Sequence, residues 1–182
     1  MSGMDSLSLL LATPEPPELG PGPRAGVQSE TAVNQGVDEF LRRAKLPVDQ
    51  GRLLRALVLL WHDHLAAAHG IAQNVNNADG AYVHGIMHRR EPDYGNAAYW
   101  FRRVGRHPAF PELARRVGEL FPGEKRNSLA AELLPSGEWD ALGFITACER
   151  AARRDPSDGA HQLLRQAQGI ETQVLAGWFC GQ

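Results

Sequence analysis

The sequence has few cysteines, little net charge and no long apolar run, and each shortage excludes a class of protein. Its two cysteines, Cys148 and Cys180, form no CxxC pair, so neither a disulfide framework nor a zinc ribbon is expected. The formal net charge of −2 argues against a general nucleic-acid binder. No apolar run approaches the ~20 residues that span a bilayer. We therefore expect a cytoplasmic protein that binds neither nucleic acid nor membrane.

The chain also lacks convincing period-two alternation, which would indicate β-strands. Apolar residues instead recur at helical spacing along most of its length. The clearest pattern predicts one long helix over residues 50–76, and Asp79 and Asp93 are suited to cap the two helices that follow. The fold class is therefore expected to be all-α, an irregular bundle of about six to eight helices.

The N-terminal residues have a different composition from the rest. Five of the twelve prolines lie between Pro14 and Pro23, with glycines among them. A segment of this kind buries too little apolar area to offset the entropy lost on ordering. We expect residues 1–29 to form a disordered tail and residues 30–182 to form a single helical domain.

Histidines at helical spacing give the most specific chemical signal. His84 and His88 lie one turn apart on one helical face, and Glu91 lies two turns from His84. If the helices on either side of residues 76–79 form a hairpin, His69 reaches the height of His84 and His88. This set could bind a divalent metal ion. The histidines could instead act directly as acid and base, or be hydrogen-bonded core residues.

Arginine, tyrosine and amide side chains are concentrated in the same segment. Asn96, Tyr99 and Arg103 form one polar helical stripe, and Arg89 and Arg90 directly follow His88. Guanidinium groups pair readily with carboxylates and phosphates, so these residues are typical of a pocket for a polar or anionic small molecule. The alternative is an internal salt-bridge network, in which Arg89 and Arg90 have structural partners.

One long block is also familiar as a sequence. DGAYVHGIMHRREPDYGNAAYWFRRVGRHPAF, with WHDHLAAAHGIAQ before it, resembles a small family of uncharacterised bacterial proteins. The resemblance covers roughly residues 52–111. It implies no activity, cofactor or catalytic residue.

Together these patterns favour a small soluble enzyme with a His/Arg/Tyr-rich pocket that acts, with or without a metal, on a polar or anionic small molecule. Hydrolysis, elimination and isomerisation all fit. The expected catalytic residues are His84, His88, Glu91 and Tyr99. The expected metal ligands are His84, His88, His69 and Glu91. The expected substrate-binding residues are Arg89, Arg90, Asn96 and Arg103. The alternatives are a non-catalytic binding protein for an anionic small ligand and a helical protein-interaction module.

Overall fold

The fold is built from α-helices, which confirms the predicted class. The computed structural model describes residues 3–122 and 128–181, and these ranges contain ten α-helices and no strand. None of these helices combines the length and apolar character needed to cross a bilayer. The helices are α1 Gly3–Leu10, α2 Glu30–Ala44, α3 Val48–Trp61, α4 Leu65–Ala72, α5 Ala78–Arg90, α6 Tyr94–Val104, α7 Phe110–Gly118, α8 Ser128–Leu133, α9 Ala141–Ala151 and α10 Gly159–Phe179.

Local sequence signals explain several of the helix ends. Ser29, Asn77 and Asp93 are N-caps, and each side chain accepts a hydrogen bond from a backbone N–H in the first turn. Asp93 therefore has its predicted role, whereas Asn77 rather than Asp79 caps α5. Gly105 follows α6 with a φ of 63°, a conformation that glycine adopts without steric cost.

The helix predicted over residues 50–76 is wrong as a continuous element. It is divided into α3 and α4 at residues 62–64, and Asp63 has a φ of 66°. The Asp63 carboxylate, whose side chain is 1% exposed, binds Nη1 of Arg24 and Nη2 of Arg90, both at 2.7 Å. Two buried cations thus hold Asp63 in a conformation that interrupts the helix. This break and the presence of α1 each add one helix, which gives ten helices in the described ranges where about six to eight are predicted.

Helix α5 lies at the centre of the molecule. Every residue from Gly80 to Arg90 is buried, and α5 packs against α3, α4 and α6. The approach of α6 is especially close, because a Cβ atom at position 85 would lie 2.7 Å from the ring of Phe101. Gly85 therefore permits the α5–α6 contact that brings Asn96 and Trp100 of α6 beside the histidines of α5.

The N-terminal segment, which the composition predicts to be disordered, lies against the helical body where it is described. Leu7, Leu11 and Leu19 are buried. His62 donates from Nε2 to the carbonyl of Leu10 at 3.0 Å and accepts at Nδ1 from the backbone N–H of Gln28 at 3.2 Å. The leucines and backbone groups of this proline-rich segment thus make contacts with the helices. Amino-acid composition alone does not reveal such contacts.

Replacing Asp63 tests the buried ion pairs. Asp63→Asn keeps the shape and tolerates the positive φ but leaves Arg24 and Arg90 without their counter-charge. Loss of one partner from a buried pair costs about 3–5 kcal/mol, so we expect a decrease of this size in the free energy of unfolding, measured by urea denaturation. The control is Asp49→Asn, whose carboxylate forms an exposed pair with Arg52 and should cost under ~1 kcal/mol. Similar losses in both variants would contradict this account.

His62 predicts a pH dependence of stability. Burial is the main cause that lowers the pKa of His62 below its ordinary value of 6.5. The unfolded chain therefore takes up a proton on His62 below pH 6.5 that the folded chain resists, so this contribution to stability is present above pH 6.5 and is lost as the pH falls. His62→Gln keeps a donor and an acceptor but does not titrate. Urea unfolding between pH 7.5 and 5.5 should show a smaller loss of stability in His62→Gln, and equal losses would contradict the assignment.

Candidate metal centre

Helices α4 and α5 bring three histidines together. Residues 73–77 connect the two helices, which pack against each other. His69 of α4 lies with its ring centroid 4.9 Å from that of His84 and 5.7 Å from that of His88. His84 and His88, one turn apart on α5, are stacked at 5.0 Å. The hairpin arrangement predicts that His69 faces His84 or His88, and in the structure its ring lies beside both.

The ring nitrogens are close enough to share one ion. One nitrogen from each of His69, His84 and His88 can be chosen so that all three lie within 4.8 Å of one another. Nitrogens bound at about 2.0–2.1 Å to a tetrahedral zinc ion are about 3.3 Å apart. Binding would therefore require the rings to approach by at most ~1.5 Å, which side-chain rotation supplies.

Burial keeps two of these imidazoles neutral. His84 and His88 are 5% and 7% exposed. Desolvation, reinforced by His88 and His69, lowers the pKa of His84 to about 4. Desolvation also lowers the pKa of His88, although Glu91 and Asp93 oppose it. Neutral imidazole is the form that binds metal ions, so at neutral pH these two ligands need not lose a proton first.

An indole ring covers one side of the histidine cluster. Trp100 of α6 is stacked on His84 with the ring centroids 4.1 Å apart and the planes 12° from parallel. This contact fixes the orientation of the His84 ring and shields it from solvent. The sequence pattern places Trp100 only in the apolar stripe of α6, so its role beside His84 is not predicted.

Glu91 and Asn96 both lie beside His88. An Oε2 atom of Glu91 is 3.4 Å from Nδ1 of His88, and the side-chain nitrogen of Asn96 is 3.1 Å from Nε2. Glu91 is exposed and lies outside the three-histidine group. A carboxylate beside a metal-binding histidine commonly orients the ring, so the geometry favours Glu91 as a partner of His88 rather than as the predicted ligand.

Tyr99 and Arg103 border the cluster at the surface. Tyr99 is 51% exposed and contacts Trp100 edge-on, with the ring centroids 5.4 Å apart. The guanidinium of Arg103 lies 5.4 Å from the Trp100 ring, and its Nη2 atom is 3.4 Å from Oδ1 of Asn76. Trp100 thus separates Tyr99 and Arg103 from His84. This position suits contact with a substrate at the rim better than proton transfer by Tyr99.

Arg89 and Arg90 are not brought to the histidines. Arg89 is fully buried, forms a two-pronged ion pair with Glu171, and lies 4.3 Å from the centroid of the Phe144 ring. Arg90 binds Asp63 and the backbone carbonyls of Leu60 and Gly20. These contacts place both arginines in an internal network of salt bridges and hydrogen bonds, and not in a substrate pocket.

Three further histidines, His62, His64 and His107, have hydrogen-bond partners outside the cluster. His62 and His64 bind backbone groups of residues 10 and 28 in the N-terminal segment. His107 donates from Nε2 to Asp79 at 2.7 Å and accepts at Nδ1 from the backbone N–H of Ala109. The hydrogen bond from His107 is the main cause that lowers the pKa of Asp79. These histidines therefore stabilise the fold around the cluster.

Comparisons with family models, with curated proteins and with solved structures find no match. The resemblance of residues 52–111 to a bacterial protein family stays a prediction.

Proposed function

We propose that the protein is a small cytoplasmic enzyme that uses a divalent metal ion at His69, His84 and His88 to hydrolyse a polar or anionic small molecule. The observation that carries the proposal is the convergence of three ring nitrogens within 4.8 Å. Three histidines from two packed helices are a ligand set that zinc enzymes use, and such sites keep a position open for water or substrate.

The open position is the reason for choosing hydrolysis among the reactions that the sequence allows. A zinc ion bound by three protein ligands lowers the pKa of its water to about 7 and polarises a carbonyl or phosphoryl group. The chain's own residues have supporting roles. Glu91 orients His88, and Trp100 holds His84 and limits the access of solvent.

Residues at the rim fit an anionic substrate. Arg103 is exposed beside Trp100, and its Asn76 contact, at 3.4 Å, is long for a hydrogen bond. Its guanidinium is therefore available to a carboxylate or phosphate. The amide of Asn96 adds a hydrogen-bonding group next to His88. Arg89 and Arg90 have no place in this proposal, because their guanidinium groups are buried in ion pairs.

Metal stoichiometry is the first test. The protein is stripped with chelator, incubated with Zn²⁺, dialysed and analysed by inductively coupled plasma mass spectrometry. We expect about one equivalent in the wild type and its loss in His88→Ala, because two histidines hold zinc far more weakly than three. His64→Ala is the matched control, since His64 binds the Gln28 carbonyl outside the cluster, and it should retain the metal.

His88→Gln provides a second variant if His88→Ala does not fold, as judged by circular dichroism. Glutamine retains a polar side chain that can contact Asn96 and Glu91 but removes the imidazole. Wild-type protein without metal, or equal metal content in the wild type and a folded His88 variant, would contradict the proposed centre.

Turnover tests the catalytic part of the proposal. The probes are 4-nitrophenyl acetate and bis(4-nitrophenyl) phosphate, which report ester and phosphodiester hydrolysis by their colour change. Zinc-loaded wild type and His64→Ala should hydrolyse at least one of them, and the chelated protein and His88→Ala should fall to the background rate. Bound metal with no metal-dependent turnover of either probe would contradict hydrolysis and favour a structural metal ion.

A further inference from the structure

A cleft separate from the histidine cluster opens beside α7. It lies between the end of α6, residues 105–111, the first turns of α7 and residues 137–142. Its volume is about 750 Å³, within the range of about 300–1,000 Å³ that is usual for small-molecule sites. Trp100 and Phe101 are neighbours in α6, yet Trp100 covers His84 whereas Phe101 lines this cleft. The cleft and the cluster therefore lie on different sides of α6.

Aromatic rings form much of the cleft wall. Phe101, Phe110 and Trp139 all line it, and Phe101 and Trp139 are 4% and 6% exposed. His107 also lines the cleft, and its hydrogen bonds to Asp79 and Ala109 fix the orientation of its ring. Walls of this kind favour a flat aromatic body, which stacks on rings or meets them edge-on.

The charge at the rim favours an anion. Arg102 and Arg106 line the cleft, are exposed, and form no ion pair with any described residue. Arg115 pairs instead with Glu112 and Glu119. Two carboxylates line the cleft, and one of them, Asp140, is engaged as the N-cap of α9. Two guanidinium groups without an ion pair in the described chain therefore face one remaining carboxylate, Glu138. Arginine forms forked hydrogen bonds with carboxylates.

We propose that this cleft is a binding site for an aromatic carboxylate. The aromatic body lies among Phe101, Phe110 and Trp139. The carboxylate oxygens accept hydrogen bonds from Arg102 and Arg106. The site needs no metal ion, so it goes beyond the proposed function and stands independently of it.

Isothermal titration calorimetry with three matched probes tests this inference. The probes are 2-naphthoate, the neutral naphthalene-2-methanol and the cationic naphthalen-2-ylmethylamine, which share one ring system. They are titrated into chelator-treated wild-type protein, into the double variant Arg102→Gln/Arg106→Gln, and into Arg52→Gln. Arg52 is an exposed arginine of α3 outside the cleft, so Arg52→Gln controls for the loss of a surface arginine elsewhere on the protein.

We expect 2-naphthoate to bind with one site and more tightly than the other two probes. The double variant should weaken its binding about tenfold, since two exposed charge contacts contribute roughly this much, and should leave the neutral probe unchanged. Arg52→Gln should bind like the wild type.

Three results would overturn the inference. They are no binding of 2-naphthoate, equal affinity for the three probes, and unchanged affinity in the folded double variant. Because the protein is stripped of metal throughout, none of these results depends on the histidine centre.

Discussion

The rest of the structure depends on the burial of α5. This helix is buried around its whole circumference, although half of its last six residues are charged or titratable. Every residue from Gly80 to Arg90 is buried, including His84, His88, Arg89 and Arg90. Polar groups removed from water are costly unless they find partners inside the protein. The surrounding elements supply those partners, each in a different direction from the helix axis.

These partners determine how the elements meet. Glu171 brings α10 to Arg89, and Asp63 brings the α3–α4 break to Arg90 and to Arg24 of the N-terminal segment. The desolvation of these buried charges offsets much of their attraction, so the ion pairs contribute little net stability while they are intact. They make the orientation of α5 unambiguous, which in turn points His84 and His88 towards α4.

His84 and His88 of α5 lie against a third histidine, whereas Arg89 and Arg90 lie against buried carboxylates. Trp100 is stacked on His84, and Glu91 and Asn96 lie beside His88. Each neutral imidazole has one ring nitrogen with a lone pair, and a divalent cation can bind one such nitrogen from each ring at once. The same burial that suppresses their protonation therefore prepares them to bind metal.

Helical periodicity predicts the parts of this arrangement that depend on neighbours in sequence. The spacing of His84 and His88, the cap at Asp93 and the position of His69 across a short connection all follow from such local rules. The partners of Arg89 and Arg90 do not, because Glu171 lies 82 residues beyond Arg89 and because Gly20, whose carbonyl Arg90 binds, lies in a segment whose composition predicts disorder. The division of α3 from α4 is missed for the same reason, since the groups that hold Asp63 are distant in sequence. Glu91 shares a helical face with His84, but it comes just after α5 ends and meets only the outer side of His88.

X-ray absorption spectroscopy of the zinc-loaded protein tests the central claim most directly, because it reports the ligands themselves. The account predicts three imidazole nitrogens at about 2.0–2.1 Å together with an oxygen from solvent. A first shell with fewer than three imidazoles, or with a thiolate at about 2.3 Å, would contradict the assignment of His69, His84 and His88 as the metal centre.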